Sequence, residues 1–240
     1  AERYGLHSAS HNSDGGQASF SFKTVMQRIH DVIAAIEPHD SVERYTGLGV
    51  EVLQGYARIV NPWTVEIALN EGGTQTLTTR SIVIAAGARP FVPPLPGLDD
   101  VGYVTSDTLW DEFAKLDEVP KRLVVLGGGP IGCELSQAFA RLGSQVTQIE
   151  MGTRIMARED VEVSALAAQV LQADGVQLLT AHKALRVEKH APDATRQEPP
   201  TGGVLVVEHA GEEHRIPFDQ LLCAVGRSAR LTGYGLEEMG

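Results

Sequence analysis

One stretch, Lys121 to Glu150, constrains the fold of this chain more than any other. It opens with an apolar run, Leu123 to Leu126, of the kind that suits a strand buried in a parallel sheet. The run stops at Gly127, which begins a tight turn, and apolar residues then recur at the spacing of a helix: Ile131, Leu135, Ala138, Phe139 and Leu142. A second strand is predicted over Gln145 to Ile149. The stretch therefore predicts strand, loop, helix and strand, the repeating unit of an α/β sheet.

The glycines of this turn have the spacing G-x-G-x-x-G, at Gly127, Gly129 and Gly132. The first permits the turn, the second lets the backbone approach a pyrophosphate, and the third lets the helix pack closely on its strand. Pro130 suits the first helical turn, whose free amides and dipole favour an anion. Glu150 ends the second strand, where an acid accepts hydrogen bonds from an adenosine ribose. This arrangement predicts a dinucleotide site, whereas a glycine-rich turn of another α/β protein would leave these residues unexplained.

Composition excludes several classes of function. The chain has 240 residues, 42% of them hydrophobic, which is enough for one large domain or two smaller ones. Its 20 Lys and Arg stand against 31 Asp and Glu, a formal charge of −11, so neither nucleic acid nor an anionic membrane surface is expected as a partner. No apolar run reaches the roughly 20 residues that span a bilayer, and the start shows no signal-peptide core. We therefore expect a cytoplasmic protein.

The cysteines and histidines predict neither a redox pair nor a metal site. Cys133 and Cys223 are the two cysteines, and without a C-x-x-C spacing we expect both to be buried reduced thiols. The eight histidines include no H-E-x-x-H motif, and residues 212–214 are expected to form a solvated turn. We expect no metal ion.

The segment before this unit gives weaker signals. Residues 1 to about 19 lack a period and are expected to be a poorly anchored lead-in. Phe22 to Ile36 has the apolar stripe of an amphipathic helix, which needs a partner to cover it. Short antiparallel strands are predicted over residues 50–57, 64–69 and 74–79, and Ser81 to Ala86 is predicted as a buried strand.

The segment after Glu150 continues the same sheet. A helix over residues 161–173 and a strand over 176–179 add a further βα repeat. Strands over residues 184–189, 204–209 and 214–216 predict a small antiparallel layer, with a polar, proline-bearing loop between the first two. Residues 219–225 are predicted as the last buried strand.

Three ordered motifs resemble the pyridine nucleotide-disulfide oxidoreductases, particularly the branch of dihydrolipoyl dehydrogenase and mercuric reductase. They are VVLGGGPIGCELSQAFARLGSQVT, SIVIAAGARPFVPPLPG and LLCAVGRSAR. The resemblance implies an α/β fold: a Rossmann-like nicotinamide-nucleotide domain built as a three-layer sandwich of parallel sheet and small antiparallel layer, joined to part of an FAD-binding domain. The implied boundaries are residues 1–105 for the partial FAD-binding domain, 106–232 for the NAD(P)-binding domain and 233–240 for the return to the former.

In enzymes of this family NAD(P)H passes hydride to FAD, and the flavin reduces a nearby disulfide. The resemblance implies that the glycine loop binds the pyrophosphate through Gly127, Gly128, Gly129, Pro130, Ile131 and Gly132. It places Glu134 near the nicotinamide and flavin, Gly226 in the nicotinamide pocket, and Tyr56, Ala57 and Gly87 near FAD. With Glu150 at the ribose, we expect NAD as the nucleotide rather than NADP, and FAD as a cofactor of the intact protein.

The chain also departs from the family pattern. It contains no G-x-G-x-x-G for FAD and no C-x-x-x-x-C pair, so no catalytic residue is predicted within it. Ala86 stands where the family has threonine, and Ala229 and Arg230 stand where it has Pro-Asn. We therefore expect an internal fragment, inactive alone, of an enzyme that is a homodimer acting on a disulfide or other small molecule. The alternatives are a non-catalytic dinucleotide-binding module or NAD(H) sensor, and a flavin-free α/β protein.

Overall fold

The computed structural model describes residues 6–7, 19–190 and 202–239. Contacts divide the chain into two compact units, the first made of Ala1–Ile29 and Pro90–Arg227, the second of His30–Arg89 and Ser228–Gly240. The predictions for residues 1 to 19 and for the loop near residues 190–203 fall largely outside the described residues. Within the described part of the chain, no helix is both long and apolar enough to cross a membrane.

The elements follow one another in a mixed α/β order. The helices are α1 (Phe22–Ile36), α2 (Val42–Gly47), α3 (Leu98–Val101), α4 (Leu109–Phe113), α5 (Pro130–Arg141) and α6 (Val161–Ala173), with a 3-10 turn at Glu37–Asp40. The strands are β1 (Leu6–His7), β2 (Ser19–Phe20), β3 (Gly55–Asn61), β4 (Thr64–Leu69), β5 (Thr74–Thr78), β6 (Ala88–Pro90), β7 (Val104–Thr105), β8 (Arg122–Leu126), β9 (Gln145–Ile149), β10 (Gln177–Leu179), β11 (Lys183–Lys189), β12 (Gly203–His209), β13 (Glu212–Phe218), β14 (Gln220–Cys223) and β15 (Arg227–Ala229).

A five-stranded parallel sheet forms the middle of the first unit, in the order β10-β9-β8-β14-β7. Side chains of β8 alternate between its two faces: Leu123 and Val125 belong to one buried cluster, and Val124 and Leu126 to another. Because both faces are covered, the strand is apolar at successive positions. The predicted parallel α/β sheet is thereby confirmed.

The second face of this sheet is covered by an antiparallel layer, in the order β11-β12-β13. Leu205 and Val207 of β12 and Phe218 of β13 are fully buried in the cluster that includes Val124. The predicted antiparallel layer is confirmed, but residues 212–214 lie in β13 rather than in a solvated turn. The turn comes two residues earlier, at Ala210 and Gly211, where both residues have positive φ.

Helices cover the first face of the sheet. Phe139 of α5 is buried between two aromatic rings, 6.5 Å from Phe22 and 5.3 Å from Phe113 between ring centroids, both edge-on. The first half of α1 thus has a cover within the first unit, and Met26 is also buried there. The partner that this stripe was expected to need is therefore present for the first half of the helix. Ile33, in the later half, is 47% exposed.

The second unit contains an antiparallel meander, in the order β3-β4-β5. Ile59 and Ile67 are its buried apolar residues. Residues 81–86 were predicted as a buried strand, and this prediction is wrong: the segment is irregular, and Val83 is 89% exposed. A strand requires a hydrogen-bonded neighbour, and no described strand pairs with this segment.

Candidate dinucleotide-binding site

Gly127 begins the loop between β8 and α5 and requires glycine for two reasons. Its φ is +108°, which side-chain-bearing residues rarely adopt, and a Cβ would lie 2.7 Å from the carbonyl carbon of Ala224. Its amide donates a 2.8 Å hydrogen bond to the carbonyl oxygen of Ile149, which fixes the start of the loop against β9. At Gly132 a Cβ would collide with the Gly127 carbonyl oxygen, so the helix passes close over the turn. Both glycines serve the packing roles predicted for the first and third positions.

Gly129 differs, because nothing in the fold demands glycine there. It is the N-cap of α5, with φ −76° and ψ 177°, a backbone conformation open to any residue. A Cβ at this position would meet no atom of the described residues within 4 Å. The space beside Gly129 is therefore open at the amino end of a twelve-residue helix whose first amides lack intrahelical partners. This combination suits the approach of an anionic group to the backbone.

Glu150 lies directly beside this loop. One carboxylate oxygen, Oε2, accepts a 2.6 Å hydrogen bond from the amide of Gly128, and the other, Oε1, accepts one of 2.6 Å from the amide of Gly152. These short, charge-assisted bonds fix the half-buried carboxylate at the end of β9. Each oxygen keeps a further lone pair, so the group retains the capacity to accept a ribose hydroxyl.

Gln148 is a component of the site that the sequence analysis missed. Its side chain is fully buried, and its Nε2 donates a 3.0 Å hydrogen bond to the carbonyl oxygen of Gly127. The same Nε2 lies 3.5 Å from the Sγ of Cys133, whereas its Oε1 has no hydrogen-bond partner among the described residues. The available signal was a glutamine two residues before the acid, in a strand expected to be buried.

The two cysteines are buried free thiols, as predicted. Burial raises the pKa of the Cys133 thiol, and burial raises that of Cys223 to about 12. Both therefore remain protonated at neutral pH, which disfavours nucleophilic or redox chemistry at either. No three His, Cys, Asp or Glu side chains in the described part of the chain are placed to hold a metal ion.

The segment after Glu150 wraps against the glycine loop. The amide of Met156 donates a 2.7 Å hydrogen bond to the carbonyl oxygen of Gly128. The guanidinium of Arg154 is occupied by backbone carbonyls within its own segment, those of Met156 at 3.2 Å, Ala157 at 2.7 Å and Glu159 at 2.9 Å. The guanidinium of Arg154 therefore stabilises the conformation of its own segment.

Arg158, in the same segment, is exposed and makes no hydrogen bond or ion pair with any described residue. Its guanidinium is consequently available to a ligand, unlike that of Arg154. Of the two guanidinium groups in this segment, that of Arg158 is the one whose donors are free to bind a phosphate directly.

The other predicted nicotinamide-side residues lie in the first unit. Glu134 is exposed on α5, near the helix start formed by Pro130 and Ile131. Gly226 follows β14 with φ +132°, and its carbonyl oxygen accepts a 2.9 Å hydrogen bond from the amide of Phe91. Because β14 and β8 pair in parallel, with Cys223 opposite Leu126, their following loops meet at one edge of the sheet.

The residues predicted to approach FAD lie in the second unit. The Tyr56 hydroxyl donates to the carbonyl oxygen of Gly233, and the side chain is 65% exposed. Ala57 is also exposed, on β3 opposite Ile67. Gly87 has φ +72° and open space where a Cβ would stand. These three residues thus present exposed surface within their unit.

A groove of about 560 Å³ lies at the amino ends of the parallel strands, away from the glycine loop. Its charged side chains are already paired: Arg122 with Asp219, Arg215 with Glu188 and Asp174 with Arg141. With no unpaired charge to hold a ligand, the groove is a weaker candidate than the loop.

Comparison with known proteins agrees with this geometry. The chain matches the family described as pyridine nucleotide-disulphide oxidoreductase over residues 7–240. It is 38% identical to a dihydrolipoyl dehydrogenase of Pseudomonas aeruginosa over 192 residues, covering 80% of this chain and 38% of the relative. It is 32% identical to a mercuric reductase of Bacillus cereus over 236 residues, covering 98% of this chain and 33% of the relative. The chain thus spans little more than a third of the length of these relatives.

Solved structures show the same fold. A Cu(II) complex of the HOCl-induced flavoprotein disulfide reductase RclA from Escherichia coli superposes with a TM-score of 0.69 at 26% identity, covering 91% of this chain and 46% of that one. LpdA from Mycobacterium tuberculosis superposes with a TM-score of 0.73 at 22% identity, covering 93% and 46%. The chain belongs to the pyridine nucleotide-disulphide oxidoreductase family.

Proposed function

We propose that this chain supplies the NAD(H)-binding part of an FAD-dependent oxidoreductase. The nucleotide pyrophosphate lies against the loop from Gly127 to Gly132, and Glu150 accepts hydrogen bonds from the adenosine ribose. The nicotinamide extends towards Glu134 and Gly226. The longer protein transfers hydride from this nucleotide to flavin and acts on a disulfide or other small-molecule substrate. Its cytoplasmic location and homodimeric state stay predictions from the sequence and the family.

The observation that carries this proposal is the open space beside Gly129. Gly127 and Gly132 are explained by the fold alone, because a Cβ at either would strike backbone. Gly129 has ordinary dihedral angles, and no described residue has an atom within 4 Å of the position of a Cβ, so packing does not explain a glycine here. A ligand that approaches the backbone closely would explain the glycine. The amino terminus of α5 favours an anionic ligand such as a pyrophosphate.

The nucleotide is NAD(H) in preference to NADP(H). The carboxylate of Glu150, held against the loop by the amides of Gly128 and Gly152, repels a 2′-phosphate and accepts from a free 2′-hydroxyl. Of the two nearby arginines, Arg154 is bonded to backbone carbonyls. Arg158 is the one whose donors are free to contact a 2′-phosphate, and it is exposed, where water screens its charge.

Bound flavin would supply a hydride acceptor in the longer protein. In this chain, the second unit offers a flavin only a limited contact surface. That surface consists of the exposed Tyr56 and Ala57 and the open backbone at Gly87. The sequence carries no second G-x-G-x-x-G for the flavin pyrophosphate. We therefore assign nucleotide binding to this chain and derive no electron-transfer step within it.

Amide chemical-shift mapping with NADH tests the proposal. Saturating NADH is expected to shift the amides of Gly128, Gly129, Ile131, Gly132 and Gly152. The amides lining the groove at the other end of the sheet, such as those of Gln145 and Gly175, should stay in place. Shifts confined to the groove, or none at millimolar NADH, would contradict the assignment.

A further inference from the structure

The peptide unit that joins Gly127 to Gly128 is held at both ends by side chains of a single strand end. Its carbonyl oxygen accepts the 3.0 Å hydrogen bond from Nε2 of Gln148. Its amide, which belongs to Gly128, donates the 2.6 Å hydrogen bond to Oε2 of Glu150. Rotation of this peptide plane would break both bonds, so together they fix its orientation.

The alternation of side chains along β9 explains how two residues reach the same peptide. Gln148 and Glu150 are two positions apart at the strand end and point to one face. Ile149 between them points to the other face, into the cluster with Val124, and its carbonyl oxygen accepts the amide of Gly127 at 2.8 Å. Three successive residues thus hold the start of the loop.

Packing alone does not account for a glutamine at position 148. The side chain is fully buried, and its Oε1 lacks a hydrogen-bond partner among the described residues. A buried unsatisfied acceptor destabilises a fold, and an unbranched apolar side chain of similar length would avoid that loss. Glutamine makes one strong contact that methionine could not make, the hydrogen bond from Nε2 to the Gly127 carbonyl oxygen.

We propose that Gln148 is a positioning residue for dinucleotide binding. It acts through the Gly127 carbonyl, holding the loop so that the amides after Gly128 face the pyrophosphate. The inference rests on the proposed function and adds a specific consequence. Loss of the Nε2 donor weakens ligands that carry a pyrophosphate more than ligands that lack one.

The test compares Gln148→Met with the wild type, using NADH and ADP-ribose as pyrophosphate ligands and adenosine as a ligand without phosphate. Affinity for NADH and ADP-ribose is expected to fall about threefold to tenfold, the loss of one ordinary hydrogen bond. Affinity for adenosine is expected to stay constant. The midpoint of thermal unfolding is expected to stay close to that of the wild type, because the unsatisfied Oε1 is removed while the Gly127 carbonyl oxygen loses its donor. Gln145→Met, at an exposed position of the same strand, is the matched control and changes neither quantity.

Equal affinity of wild type and Gln148→Met for ADP-ribose would overturn the inference and leave the proposed function intact. Equal losses for ADP-ribose and adenosine would also overturn it, because they indicate a general structural role. A wild type that fails to bind NADH would overturn the proposed function itself. If the methionine variant does not fold, the side-chain amide resonances of Gln148 in the wild type provide the test. The proposal predicts that they shift when ADP-ribose binds and stay fixed when adenosine binds. The reverse pattern contradicts the proposal.

Discussion

Gln148 and Glu150 hold opposite ends of one peptide unit, the first through its carbonyl oxygen and the second through its amide. The strand end therefore orients the glycine loop and also supplies the acid that we propose to face the ribose. The amide of Met156 adds a further restraint by donating to the Gly128 carbonyl oxygen. The loop thus reaches a defined geometry through protein contacts alone, which reduces the ordering that nucleotide binding requires.

Replacing Glu150 with glutamine should reduce the preference for NADH over NADPH. The side chain keeps its size and one acceptor oxygen, but the charge that repels a 2′-phosphate is gone. We expect the ratio of the two dissociation constants to change by about tenfold to a hundredfold, or roughly 1.4 to 2.8 kcal/mol. Titration of both nucleotides against wild type and Glu150→Gln measures the ratio.

Arg158→Ala supplies the control for this prediction. The guanidinium of Arg158 is available to bind a 2′-phosphate. Its removal should therefore weaken NADPH binding to Glu150→Gln and leave NADH binding unchanged. A wild type that binds both nucleotides equally well would show that Glu150 does not discriminate between them.

The ion pair between Arg122 and Asp219 should make stability depend on pH in the acid range. Asp219 Oδ1 lies 2.6 Å from Nη2 of Arg122, and Oδ2 accepts the Arg122 amide at 2.8 Å. Burial by itself would raise the pKa of Asp219, but the bonds with Arg122 outweigh it and lower the pKa below the usual value. The stabilisation is therefore present above the unfolded-state pKa, about 3.9, and is lost as the pH falls through the lower folded value.

Asp219→Asn should lower the free energy of unfolding by about 1.5 to 3 kcal/mol at pH 7, the range for a hydrogen bond to a charged group. As the pH falls from about 4, where the wild type begins to lose this stabilisation, the variant should lose less. Urea unfolding across that range measures both effects. The control is Asp117→Asn, which removes an exposed ion pair with Lys23 and should have little effect on stability, because water screens that pair. If the free energy of unfolding of Asp219→Asn and of the wild type changed in parallel with pH, Asp219 would not be the source of the pH dependence.

Two alanine variants of α1 should differ sharply in stability. Met26 is 2% exposed and packs in the cluster that contains Phe139, so Met26→Ala should lower the free energy of unfolding by about 2 to 4 kcal/mol. Ile33 is 47% exposed on the same helix, and Ile33→Ala should change it by less than about 0.5 kcal/mol. Equal losses in urea unfolding would mean that the first half of the helix is not anchored as described.

The sequence predicted what depends on neighbouring residues and failed where distant partners decide. The unit from β8 to β9 follows from a short apolar run, three spaced glycines and a helical repeat, and all were recognisable. Residues 81–86 have an equally apolar pattern, but a strand also needs a hydrogen-bonded neighbour, which no described residue provides there. Pattern alone does not contain that information.

The buried face of α5 was predicted only in part, for a related reason. Apolar spacing selected Phe139, which is buried, but also Ala138, which is exposed, and it missed the buried Ser136. Small polar residues fit where a helix packs closely on its strand, and a hydrophobic period does not register them. Gln148 was missed similarly, because its role depends on the carbonyl of a residue 21 positions away.

The dissociation constant of NADH for wild type and Gly129→Val tests the central claim most directly. A valine at this position keeps an allowed backbone conformation and enters space that the fold leaves open, so the midpoint of thermal unfolding should stay within about 2 °C of wild type. Its side chain would occupy the position of the pyrophosphate, so NADH affinity should fall at least about tenfold. Unchanged NADH affinity in a folded Gly129→Val would contradict the claim that this loop binds the nucleotide.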